Sequence, residues 1–128
     1  MDSAIEINFV RENVKKEYRD RLLFELQSKK HREKAISRFA HTAKEVLQDK
    51  FKEVDLDYLN ILFADTINPK PCYLITGDKH DGEYMALFET WNYIQKTFLV
   101  AIVISNDFVL IKEEYEINKP TFFLRMRF

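Results

Sequence analysis

The sequence predicts a single α+β domain over residues 1–128: an N-terminal helical hairpin, then a small, mostly antiparallel sheet of about four strands, with one further helix between the first two strands. Three observations carry this. Apolar residues recur every three or four positions through the first part of the chain. Short apolar runs of strand formers, separated by turn residues, fill the second part. No Gly/Ser linker, internal repeat or low-complexity tract divides the two. At 128 residues such a chain can bury roughly two-thirds of its unfolded surface. A composition of 46% hydrophobic and 32% charged residues excludes a disordered or fibrous protein.

Ser3-Ala4-Ile5-Glu6 has the spacing of a capping box and predicts a helix start. Val10, Val14, Tyr18, Leu22 and Leu26 then recur at four-residue intervals, so one helix is expected from about Ile5 to Leu26. Ser28 is the expected N-cap of a second helix, which carries Ile36, Phe39, Ala40, Ala43 and Leu47 on one face. From Val54 to Ile67 strand-like alternation and helical stepping overlap, and a short helix is the preferred reading. Asn68-Pro69-Lys70-Pro71 must be extended, because proline disfavours helical backbone in the residue before it.

Cys72–Thr76, closed by Gly77, reads as the first strand. Tyr84, Leu87, Phe88, Trp91 and Ile94 step as a helix within Glu83–Gln95. Phe98–Ile104 has no polar position, so both faces of that strand should be covered. Ser105-Asn106-Asp107 turns the chain into Phe108–Ile111, a hairpin. The last run alternates, with Phe122, Leu124, Met126 and Phe128 on one face and Phe123, Arg125 and Arg127 on the other, and is expected to be a half-exposed or an edge strand.

Few residues form a chemical constellation. Gly77 and Gly82 are the only glycines, which excludes the phosphate-cradling GxxxxGK[ST] and GxGxxG loops and the GxSxG nucleophile elbow. They bracket Asp78, His80 and Asp81, which could ligate a divalent cation or simply form a solvated turn with Asp81 as a helix N-cap. His31, His41 and His80 show no metal-ligand spacing, and Arg38 with His41 is closer spaced than the Arg and His of helical ribonucleases. Cys72, the sole cysteine, has no histidine nearby in sequence and reads as a small strand hydrophobe. Leu110-Ile111-Lys112 lacks the acid that a metal-dependent nuclease places two positions before its lysine. No cofactor is expected.

Charge layout is the one feature above background. Residues 8–52 hold 13 Lys/Arg against 7 Asp/Glu, and residues 53–128 hold 7 against 12, so a total near neutrality conceals a basic helical part and an acidic sheet part. Lys29, Lys30, Arg32 and Arg38 could face phosphates or an acidic protein, and Phe123 with Arg125 and Arg127 offers an interface-like strand face.

The expected function is a non-enzymatic protein-binding or regulatory module of the immunity, antitoxin or adaptor kind. The alternatives are a nucleic-acid-binding protein using the basic hairpin, and a metal-dependent enzyme with a site in the Gly77–Gly82 loop. The acidic start of the chain lacks a signal-peptide pattern, and the longest apolar run is far shorter than the roughly 20 residues that span a bilayer. A cytoplasmic location without a membrane partner is therefore expected. A homodimer is also expected, because few helices are counted and one sheet face would need cover.

Overall fold

The computed structural model describes residues 1–64 (the side chain of Ala40 excepted), 71–97, 99–113 and 121–127. In chain order the elements are α1 (Ser3–Asn13), α2 (Lys16–Gln27), α3 (Arg32–Val46), β1 (Lys52–Val54), α4 (Leu56–Ala64), β2 (Cys72–Thr76), β3 (Tyr84–Met85), α5 (Leu87–Lys96), β4 (Ala101–Ile104), β5 (Phe108–Lys112) and β6 (Phe122–Met126). The strands form one antiparallel sheet in the order β1-β6-β5-β4-β2-β3. The α+β class and the leading helical run stand as expected, with six strands among the described residues rather than four. Among these residues no helix is long and apolar enough to cross a membrane.

The first expected helix is two helices. At Val14 and Lys15 the backbone turns extended, and its polar groups pair with the end of α3: Lys15 N donates to the Val46 carbonyl at 2.7 Å and Gln48 N to the Asn13 carbonyl at 2.9 Å. This junction breaks the four-residue stripe, so Val10, Val14, Leu22 and Leu26 are buried while Tyr18 is exposed. The N-cap is Asp2, whose carboxylate accepts from Ile5 N at 3.2 Å, and not Ser3. Glu6, the second half of the expected capping box, is buried in an ion pair instead. Ser28 does not cap α3 with its side chain; its carbonyl closes the turn by accepting from His31 N and Arg32 N.

Strand alternation divides the core in two. Tyr73, Ile75, Ile102, Ile104, Val109, Ile111 and Phe123 pack under α1, α2 and α3. Cys72, Leu74, Ala101, Val103, Phe108, Leu110, Phe122 and Leu124 face the other way, toward α4 and α5. Helices thus cover both faces, which is why β2, β4 and β5 are buried along their length. The expected dimer rested on an open second face. Leu59 of α4 and Leu87, Trp91 and Ile94 of α5 cover that face within the chain, and this reason for a dimer falls away.

A second correction is the edge reading of the last strand, because Phe122–Met126 lies between β1 and β5, with Phe122–Leu124 buried and Arg125 and Met126 half-buried. The edges are β1 and β3, of three and two residues. Short edges offer little backbone for unwanted pairing. The expectations for Ala40, for Asn68, Pro69 and Lys70, and for Phe98 and Phe128 fall outside the described residues.

Candidate functional site

Two places concentrate the chemistry of this fold. The first is a cavity of about 870 Å³ between the start of α1, the α2–α3 turn and the loop after β2, lined in part by Glu6, Lys29, Arg32, Glu33, Asp78 and Asp81. Arg32, one of these lining residues, is buried rather than exposed. Its five N–H groups are all engaged. Nε donates to Asp81 Oδ2 at 2.7 Å, and Nη2 donates to Asp81 Oδ1 and Glu6 Oε2, both at 2.9 Å. Nη1 donates to Glu6 Oε1 at 2.6 Å and to the Leu26 carbonyl at 2.8 Å. Burial opposes the charge, but the bonds to Asp81 and Glu6 outweigh it and hold the proton more tightly than in water. A guanidinium with no free donor cannot also grip a phosphate.

The network continues through the sheet. Tyr73 OH donates to Glu6 and accepts from Asp2 N at 3.0 Å, while Tyr84 OH donates to the Asp2 carboxylate, which keeps Asp2 below the usual carboxylate range. Asp81 also accepts from Thr76 N at 3.1 Å. The turn that carries it closes with Gly82 at φ 80°, a left-handed conformation that suits glycine.

Asp78, His80 and Asp81 therefore do not converge. Asp78 accepts from Thr76 Oγ1 and His80 N, both at 2.8 Å, and from the Tyr93 hydroxyl; His80 Nδ1 lies 2.9 Å from Glu83; Asp81 holds Arg32. Among the described residues no group of three or more His, Cys, Asp or Glu is placed to hold a metal ion. Cys72 is buried, and burial pushes its thiol up to about 11, so at neutral pH it is a thiol packed as a small hydrophobe.

Burial works against ionisation of Asp78, yet the donors, led by the Tyr93 hydroxyl, hold its carboxyl below the ordinary 3.8. A depressed folded value means stability that is present above the unfolded 3.8 and lost as pH falls from there through the lower folded value. Tyr93→Phe is expected to cost about 0.5–1 kcal/mol at pH 7, reduced by the partial solvent access of the carboxylate. Urea midpoints of parent and variant should converge under acid conditions; a gap that persists unchanged would show that Tyr93 acts by packing.

The remaining sequence candidates are dispersed. Lys29 and Lys30 are exposed at the α2–α3 turn. Arg38 pairs with Glu25, whose carboxyl the Arg38 hydrogen bond holds below the usual range. Phe123 is buried under the N-terminal helices, correcting its expected exposure. Arg125 donates to Asn13 Oδ1 at 2.5 Å and Arg127 to the Ser105 carbonyl at 2.9 Å. These two arginines clamp β6 to α1 and to the β4–β5 turn.

The second place escaped the sequence reading. In α4, only Leu59 is fully buried, while Leu56, Tyr58 and Ile61 are exposed, Ile61 at 74%. On α5, Phe88 is 77% exposed. The helices are tied side by side by Trp91 Nε1, which donates to Asn60 Oδ1 at 3.1 Å, and by the Phe63 and Trp91 rings, 5.0 Å apart. Phe88 lies one turn from Trp91 on α5 and Ile61 adjoins Asn60 on α4, so both stand beside the contact that joins the helices, whereas Tyr58, two positions from Asn60, points to another side of α4. The available signal was that every residue of Leu56–Ala64 except Asp57 and Asn60 is apolar or aromatic, more than the one face that packs on the sheet can bury. Comparisons with protein-family models, curated proteins and solved structures find no match to this chain.

Proposed function

We propose that this chain is a non-enzymatic protein-binding module, of the immunity, antitoxin or adaptor kind, whose partner docks on the outer surface of α4 and α5. The observation that carries this reading is the exposure of Leu56, Tyr58, Ile61 and Phe88 on two adjoining helices. Aromatic and aliphatic anchors of this kind are what interface cores use. The cavity beside Arg32 supports the same reading, since its arginine is committed to structural pairs and has no donor left for a substrate.

Affinity capture from native lysate tests it. The parent and Lys29→Ala/Lys30→Ala are expected to retain the same protein, and Ile61→Ser/Phe88→Ser to lose it. Identical recovery by all three would remove the surface from the function. A second reading, nucleic-acid binding, has the exposure of Lys29, Lys30 and Lys34 in its favour. It requires recovery of nucleic acid by the parent, loss in Lys29→Ala/Lys30→Ala, and affinity that falls by roughly one power of salt concentration per phosphate contact.

A further inference from the structure

We infer that the surface docking on α4 and α5 is cationic, an amphipathic helix with Lys or Arg flanking Leu- or Ile-type anchors. The inference rests on the protein-binding reading above and adds the chemistry of the partner. Exposed acids stand beside the apolar side chains on both helices. Between Glu53 and Ala64 the chain carries Glu53, Asp55 and Asp57 and no basic residue, and all three acids are exposed. Asp57 and Ile61 stand four residues apart on α4, so the carboxylate lies one turn from the most exposed anchor of that helix. On α5, Glu89 is exposed next to Phe88, and the one basic residue, Lys96, is two turns away at the other end. Any partner covering Ile61 and Phe88 brings its own side chains against Asp57 and Glu89.

A neutral or acidic partner would leave these carboxylates desolvated or repelled, whereas a basic one neutralises them and is steered in by them. The same acids oppose a symmetric pair of copies. A two-fold contact through this face sets Asp57 and Glu89 against the acids of the other copy. A head-to-tail contact with the basic α2–α3 turn of another copy need not close and leads to open chains of molecules.

Trp91, the single tryptophan, lies beneath the patch and reports occupancy by its fluorescence. The full chain is titrated with two synthetic amphipathic helices of about five turns, identical in leucine spacing, one bearing lysine and the other glutamate. The lysine helix is expected to bind about tenfold more tightly, with an advantage that shrinks as salt rises. Asp57→Asn/Glu89→Gln should erase the preference, Asp57→Lys/Glu89→Lys should reverse it, and Ile61→Ser/Phe88→Ser should weaken both helices. Equal binding of the two helices by the parent, a preference unmoved by the charge variants, or binding of neither helix overturns the cationic partner. Each of these leaves the capture experiment to judge the protein-binding reading separately. A concentration-dependent mass increase of the chain alone, abolished by Ile61→Ser/Phe88→Ser, would assign the surface to a second copy and also overturn the inference.

Discussion

Replacing Arg32 with methionine is expected to destabilise the fold by about 3–5 kcal/mol, the cost of leaving buried opposite charges without their partner. The side chains of Arg32, Glu6 and Asp81 are 8%, 5% and 16% exposed, so water can take over only part of the lost bonds. The substitution strips five hydrogen bonds at once and brings no new donor to Glu6 or Asp81. It also unpins three elements, because Arg32 links the first turn of α1, the end of α2 and the turn before β3. Urea unfolding of parent and variant at neutral pH gives the number. The origin of the cost has its own check. If unpaired charge is responsible, Glu6→Gln/Arg32→Met/Asp81→Asn should be less destabilised than Arg32→Met alone, because neutral side chains are cheaper to bury than lone carboxylates. A triple variant that is markedly worse would place the cost in lost packing instead.

The second large effect is expected at Leu59. Leu59→Ala should cost about 2–5 kcal/mol through lost burial and the cavity left behind. It is the one fully buried residue of α4, with Leu62 and Phe63 only partly covered, so the damage should fall on that helix. Local undocking limits how much of the cost is felt globally: once α4 separates more cheaply than the domain unfolds, further weakening shows as local opening. Amide exchange is expected to quicken sharply in Leu56–Ala64 while Ala101–Ile104 and Phe108–Lys112 stay protected. Unchanged exchange in α4 would mean that the Asn60–Trp91 bond and the Phe63 ring hold the helix without Leu59. The variant should also lose any partner that needs Ile61, since the anchor moves with its helix.

Much of the architecture was legible because it rests on short-range patterning. Cys72–Thr76, Phe108–Ile111 and the alternation of Phe122, Phe123 and Leu124 were read correctly, as was the helix around Trp91. The two added strands were not. Lys52–Val54 and Tyr84–Met85 are too short to show a period, and they are strands only because Phe122–Leu124 and Cys72–Tyr73 lie alongside to accept their bonds. The candidate site was less legible still. Arg32 sits in the basic run Lys29-Lys30-His31-Arg32, and its partners are 26 and 49 positions away.

By itself, then, the sequence determined which residues alternate, which recur at helical spacing, and hence the class of the fold and the pairing of its apolar residues into two sets. Periodicity is a property of neighbours along the chain, and it survives without knowledge of the rest. Tertiary structure alone decided which face each set met. It buried Phe123 under α1–α3, drew Arg32 inward to Glu6 and Asp81, broke the first helix where Val14 and Lys15 meet Val46 and Leu47, and left Ile61 and Phe88 outside. Burial and ion pairing depend on groups brought together from distant positions, and no local pattern encodes that meeting.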